Sequence, residues 1–361
     1  MPRNRYKRIL IFGGAGFIGC NWARYLLEQT ESEVHVFDNL SRAGVMHNLQ
    51  MLQALPAADA RLRITLADIR EPGAVYRAVA DADEIYHFAA QVAVTTSIAD
   101  PRQDMEINVV GTFNILDAAR RAGSRPFLLF TSTNKVYGDL GSEELKLTRT
   151  RYQFTQRVGI DEAHPVDFCS PYGCSKGAAE QYVRDFGRTY DIPVCVFRIS
   201  CIVGEQQFGT EDQGWVAHFL YSAMREDPIY IYGDGRQVRD VLYVGDLVDA
   251  FEAARTHRDK TEGQIFNIGG GAPNAVSLLE LLDMIARQTG KRPHSVLGKH
   301  RVGDQRIYVT DHTKFTRATR WSPKVTVSQA LQRLQQWYEK NRDLFEREEA
   351  TFAASAISEV A

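Results

Sequence analysis

The feature that most constrains this chain is Gly13-Gly14-Ala15-Gly16-Phe17-Ile18-Gly19, which lies between an apolar run at 8–12 and a helix-like run from 18. Glycines at 13, 16 and 19 allow a tight turn, close approach of backbone to a pyrophosphate, and close packing of helix on strand. The free N–H groups of the helix N-terminus then face the phosphates. A glycine triplet alone is also compatible with a plain turn. Here it sits between strand and helix, and Asp38 ends the second strand-like run. A carboxylate at that point accepts from an adenosine ribose and repels a 2′-phosphate. The segment therefore predicts an NAD site built from Gly13, Gly16, Phe17, Ile18, Gly19, Asp38 and Asn39. Arg42 is expected beside them and is the one residue that could soften the preference for NAD over NADP.

A site of this kind needs a parallel sheet behind it. Strand-like runs at 8–12, 34–38, 62–66, 84–88, 126–131 and 193–198 alternate with helix-like runs at 18–29, 48–55, 73–79, 105–122 and 173–190. Such alternation predicts an α/β fold with a doubly wound parallel (Rossmann) sheet. The strands read as continuous apolar runs, as they must when helices cover both faces. After 198 the rhythm loosens into Gly- and Pro-punctuated loops, with helix-like runs at 215–225, 246–254, 278–288 and 328–341. The expected organisation is an NAD-binding domain over 1–198, to which 236–268 returns. A smaller C-terminal substrate-binding lobe would come from 199–235 and 269–341, and a loose tail from 342–361.

At 361 residues the chain is long enough for two lobes. Its 43 Lys and Arg against 45 Asp and Glu are scattered, with no basic stripe, which argues against a nucleic-acid partner. Cys20, Cys169, Cys174, Cys195 and Cys201 form no C-x-x-C pair and no Cys/His spacing, so no metal is expected and the thiols suit a reducing compartment. The basic N-terminus running into Ile9-Leu10-Ile11-Phe12 begins like a signal peptide, but Gly13-Gly14 ends the apolar run too soon. No stretch approaches the ~20 apolar residues that span a bilayer. A cytoplasmic protein without a membrane partner is expected.

Reaction chemistry is carried by Tyr172-Gly173-Cys174-Ser175-Lys176. Ser170-Pro171 marks a helix start, and the i, i+4 spacing puts Tyr172 and Lys176 on one face. A free tyrosine, with a pKa of about 10, is a poor base at neutral pH. A neighbouring ammonium and a cationic nicotinamide would both favour the phenolate. The bland alternative is a surface Tyr and Lys on an amphipathic helix. Thr133, in Thr131-Ser132-Thr133-Asn134-Lys135-Val136-Tyr137-Gly138, leaves the fifth strand at its carboxyl end, where ligands of such sheets lie. Its hydroxyl can bond the reacting oxygen beside the tyrosine. Asp68-Ile69, after the third strand, could contact the adenine, and Asp68 could equally be a helix N-cap. His87 reads as a packed core histidine rather than a base. Ala89 and Ala90, with Gln91, suit a floor for the cofactor.

In this order, these elements resemble the extended short-chain dehydrogenase/reductase family of NAD-dependent sugar-nucleotide epimerases and dehydratases, over about residues 8 to 340. The resemblance implies Tyr172 as acid/base, Lys176 as holder of the nicotinamide ribose and Thr133 as hydroxyl partner. It adds Asn108 on the cofactor side and Arg198 closing the sixth strand. Arg239, in Gly233-Asp234-Gly235-Arg236-Gln237-Val238-Arg239-Asp240, would grip the substrate pyrophosphate, and Arg306 would be a second phosphate ligand. Dehydratases of the family carry Asp-Glu after the active-site threonine; here Asn134-Lys135 stands there, so dehydration is not expected. Residues 133–139, the insert leading to Asp161-Glu162, residues 168–182 and Asp212-Gln213-Gly214-Trp215-Val216 resemble the branch that inverts C2 of CDP-linked sugars, the CDP-tyvelose epimerases. That likeness implies Asn134 and Gln213 at the substrate. Ser200-Cys201-Ile202-Val203-Gly204-Glu205 departs from the branch, which tends to place an aromatic before Gly204.

The expected function is NAD-dependent epimerisation of a nucleotide-activated hexose at C2 by a homodimer or homotetramer. Inversion at C4, or a net oxidoreductase, is the alternative. A catalytically silent NAD-binding protein is disfavoured by the presence of Thr133, Tyr172 and Lys176 together.

Overall fold

The computed structural model describes residues 7–301 and 303–345. Its centre is a seven-stranded sheet of β1 (Arg8–Phe12), β2 (Glu33–Asp38), β3 (Leu62–Leu66), β4 (Glu84–His87), β5 (Phe127–Thr133), β6 (Val194–Ile199) and β7 (Gln264–Ile268). The strand order is β7-β6-β5-β4-β1-β2-β3, and every neighbouring pair is parallel. The order reverses between β1 and β4, which opens a crevice beyond their carboxyl ends.

Strand alternation explains the two cores. Ile9, Ile11, Tyr86, Phe127 and Leu129 point into one layer, while Leu10, Phe12, Ile85, Leu128 and Phe130 point into the other. Helix α1 (Phe17–Gln29) covers the first layer with Trp22, Ala23 and Leu26, and α2 (Ser170–Thr189) covers the second with Ala179, Val183 and Phe186.

Several boundaries differ from the sequence reading. β5 runs on to Thr133 because Thr131, Ser132 and Thr133 all keep their register with β6. The helix expected over 105–122 is three pieces: Pro101–Met105, a wider π-helical turn at Glu106–Gly111, and Thr112–Arg121. Such turns gather at functional positions, and this one carries Asn108.

Beyond β6 lies a second sheet, in which Val238–Tyr243 pairs with Cys201–Val203, Ala275–Ser277 and Ile307–Tyr308. Of the stretch expected to return to the main core from 236, Leu242 is packed in that core although 238–243 pair in the second sheet. Residues 238–243 spend their backbone bonds in the second sheet, whereas α4 (Val244–Thr256) buries Leu247, Phe251 and Ala254 against the first. Helices α3 (Trp215–Arg225), α5 (Leu278–Thr289) and α6 (Val327–Lys340) form the lobe's own core. α5 and α6 each start with a capping box, Ser277 with Glu280 and Thr326 with Gln329, which fixes where they begin. The loose tail expected from 342 is not loose at its start. Phe345 is buried against Phe208, Tyr221 and Tyr338. The rest of that tail, 346–361, falls outside the described residues. Among the described residues, no helix is long and apolar enough to cross a membrane.

Candidate active site

The glycine loop meets the crevice as close-packed backbone. Gly13 has φ +77°, and a Cβ there would lie 2.6 Å from the Ala89 nitrogen. A Cβ on Gly19 would collide with the Gly13 carbonyl, so helix and loop can meet only without side chains. α1 begins at Gly16 with no side-chain cap, leaving its first N–H groups for a ligand. Asp38 accepts from the Ala15 N–H at 3.0 Å and the Leu40 N–H at 2.9 Å, which ties the end of β2 to the loop. Burial pushes its carboxyl up, and those N–H groups pull it back down. A cradle of bare backbone, a free helix N-terminus and a carboxylate at the end of β2 together fit a dinucleotide.

The neighbouring residues sort themselves by their bonds. Asn39 donates to Asp68 at 2.9 Å, and Arg70 holds the Asp68 carboxyl down at about 2. Asp68 is not a helix N-cap. It accepts the Arg70 N–H at 2.8 Å in a local turn, and the next helix, Pro72–Val79, is capped at Glu71. Ile69 is buried, and its side chain fills the space over Gly111. Ala89 donates to the Phe12 carbonyl at 2.9 Å and, with Ala90, stays half-buried at the crevice floor.

Asn108, expected on the cofactor side, spends its carboxamide on the protein. It accepts from the Gln91 N–H at 2.9 Å and donates toward the Gln91 carbonyl at 3.0 Å, Asp104 at 3.1 Å and Ser175 at 3.0 Å. It knots the crevice floor to α2. His87 is a core residue as expected: its Nε2 meets Thr112 at 2.9 Å, and burial pushes the imidazole well below its ordinary range.

Tyr172 and Lys176 are buried on one face of α2, which enters through Ser170 at φ +68° and Pro171 in the first turn. The Lys176 ammonium stands 4.2 Å from the centre of the Phe130 ring. Burial pushes the Tyr172 phenol up to about 12; a Thr133 hydrogen bond and the Arg42 charge work against this, and Asp104 adds to it. Burial also brings Lys176 down to about 7 against the charges of Glu180 and Asp104. The expected lowering of the phenol by the lysine is therefore not achieved by the protein alone, because desolvation outweighs every nearby charge. Behind this pair, Ser132 donates to Glu180 at 2.6 Å, Arg198 donates to Glu180 at 2.6 Å and to Tyr137 at 2.8 Å, and Tyr137 donates to Asn267 at 2.8 Å. This buried chain joins the ends of β5, β6 and β7 to α2. In the sequence only Arg198 stood out.

A cleft of about 350 Å³ runs from Tyr172 and Thr133 past Asn134, Gln213 and Trp215 to Arg239. Arg239 donates to the Val238 carbonyl at 2.8 Å and lies 4.0 Å from Asp304. Lys135 donates to the Gly303 carbonyl at 3.1 Å, 3.7 Å from the same Asp304. Arg306, expected as the second phosphate ligand, is outside the cleft. It is exposed between buried Gln305 and Ile307, with its guanidinium 5.9 Å from the Tyr152 ring. From the same loop it is Arg301 that lines the cleft, 3.6 Å over the Tyr232 ring and paired with Glu211 and with Asp212 at 3.6 Å. Both arginines lie in one aperiodic loop, so nothing in the local sequence separates them. Arg42, expected at the cofactor, donates to Gln213, so the loop after β2 meets the lobe across the mouth of the cleft.

The family model for the NAD dependent epimerase/dehydratase family matches residues 9–269. The chain is 41% identical over 338 residues to the CDP-paratose 2-epimerase of Salmonella typhi, covering 91% of this chain and 98% of that one. It is 30% identical over 351 residues to the dTDP-glucose 4,6-dehydratase of Salmonella typhimurium, covering 92% and 93%. The structure of the Thermus thermophilus UDP-glucose 4-epimerase in complex with NAD superposes with a TM-score of 0.78 at 30% identity, covering 92% of this chain and 99% of that one.

Proposed function

The chain belongs to the NAD dependent epimerase/dehydratase family and uses NAD, and we propose that within that family it inverts C2 of a CDP-linked hexose through a transient ketone. The observation that carries this reading is Thr133 and Tyr172 at one end of a cleft, with Lys176 buried one turn further along α2, where Asn134-Lys135 replaces the Asp-Glu pair of a dehydratase. Similarity to the CDP-paratose 2-epimerase supports the choice of carbon and of base.

When bound, NAD supplies a carbon that takes up hydride and returns it. Everything else falls to the chain. The Tyr172 Oη takes the proton of the sugar hydroxyl, the Thr133 hydroxyl keeps that oxygen in line, and Lys176 holds the cofactor ribose. Arg239 and Arg301 grip the diphosphate while the hexose turns to show its other face. Tyr172 then returns the proton, and no net oxidation remains. Residues 199–235 and 269–341 serve as the substrate-binding lobe. We also read the protein as cytoplasmic and homo-oligomeric. An exposed apolar stripe of Met105, Val110, Phe113, Tyr182 and Tyr190 supports contact with a second copy.

The test is isotopic. With CDP-paratose deuterated at C2, turnover should show a primary isotope effect, and the product should keep its label at C2. A primary effect from C4 deuterium instead would move the enzyme to the 4-epimerases. Loss of the C2 label to water would replace the scheme with deprotonation beside a carbonyl.

A further inference from the structure

Joined through Asn108 and the Ser175 hydroxyl to α2, between Tyr172 and Lys176, is a carboxylate that the reaction scheme does not use. Asp104 is 1% exposed, one helical turn before Asn108. Its Oδ1 accepts from Gln91 at 3.0 Å and from Asn108 at 3.1 Å, while its Oδ2 is buried with no hydrogen-bond partner among the described residues. A buried carboxylate oxygen left unpaired is costly, and such groups persist where the charge has a use. The other residues that bear on it are Ser175, Cys174, Tyr172 and Lys176.

The remaining charges around the pair are already matched or absent. Glu180, one turn beyond Lys176, is committed to Arg198 and Ser132. His87 faces Lys176 from β4 but is held neutral by burial, and the Phe130 ring offers only its face. The Cys174 thiol, exposed at its outer side, is pushed up from its ordinary value by the protein around it and adds no charge. On the phenol, Thr133 and Arg42 act in one direction and Asp104 in the other. Asp104 is the carboxylate with an open oxygen, and it bears on both members of the pair.

We propose that Asp104 is a positioning residue for catalysis: its carboxylate keeps the buried Lys176 ammonium charged and sets how tightly Tyr172 holds its proton. The inference rests on the roles given above to Tyr172 and Lys176. It adds a site of control that none of those roles contains. By the sign of the interaction, a negative charge raises the proton affinity of both groups. Its removal should lower both together.

Asp104→Asn suits the test, because the amide oxygen keeps both accepted bonds and the NH₂ takes the place of the unpartnered Oδ2. Two readouts are needed. In protein carrying NAD and [ε-13C]lysine, with the Lys176 signal assigned by Lys176→Met, the midpoint of the Lys176 titration should fall by about one pH unit in the Asn variant. The bell-shaped pH profile of kcat/KM on CDP-paratose should shift toward acid on both limbs. A merely structural role would lower the height of the bell and leave its limbs in place. A Lys176 midpoint unchanged in Asp104→Asn overturns the proposal. If the midpoint moves but no sugar nucleotide is turned over, the inference stands and the proposed epimerase reading fails. Should the Asn variant not fold, Asp104→Ser, which leaves room for water, carries the same NMR test.

Discussion

At the residue scale, burial governs the chemistry more than charge does. Tyr172 and Lys176 both sit where water is excluded, and each is pushed toward its neutral form, to about 12 and about 7. Tyr172→Phe removes only the proton-accepting oxygen, so kcat should fall about a hundredfold or more while NAD stays bound. A variant that kept a tenth of the wild-type rate would remove Tyr172 from the acid/base role. Lys176 has a consequence for stability as well. Its folded value of about 7 lies below the ordinary lysine value of 10.5, so between those limits the unfolded chain binds more protons than the folded one. Stability from this group therefore rises with pH across that window. In NAD-free protein, Lys176→Met should melt above wild type near pH 7, and the gap should narrow steadily toward pH 9.5. A gap that did not depend on pH would mean that the lysine is not buried as described.

At the scale of elements, the glycine loop shows how local sequence can specify tertiary contact. Gly19 touches the Gly13 carbonyl across the first turn of α1, so any side chain there must push helix and loop apart. Gly19→Ala should weaken NAD binding about tenfold or more by calorimetry, with a Tm loss of several degrees. Equal NAD affinity in the variant would show that this close approach is not required. The strands and most helices were legible because their apolar spacing is local. The break in the helix over 101–121 was not, because the wide turn at Glu106–Gly111 goes with the bonds of Asn108 to Gln91, Asp104 and Ser175. Of those partners, Gln91 and Ser175 are distant in the chain.

At the scale of the whole molecule, the cleft is made by two sheets whose strands are far apart in the chain. Arg239 enters it from the second sheet and Arg301 from the loop beyond α5, while Thr133 comes from the first sheet and Tyr172 from α2. Arg301→Ala should raise KM for the sugar nucleotide about tenfold or more, as expected for losing charge-assisted bonds to phosphate. Arg306→Ala, outside the cleft, should leave KM within about twofold. The reverse pattern in steady-state kinetics would restore Arg306 as the phosphate ligand.

By itself, the sequence determined whatever depends on neighbours in the chain. The alternation of apolar runs dictated a parallel sheet, the glycines between β1 and α1 dictated a dinucleotide cradle, and four-residue spacing put Tyr172 and Lys176 on one helical face. Only the tertiary structure decided which arginine of the 301–306 loop faces the cleft, since that turns on which side of the second sheet's edge each side chain leaves. It also decided that Asn108 serves as a knot and that residues 238–243 belong to the second sheet. It tied Asp104 to α2 through Asn108 and Ser175. In the sequence Asp104 is one acidic residue in a helix. Its meaning comes from the low-dielectric surroundings that other, distant elements build around it, because a charge acts strongly only where water has been removed.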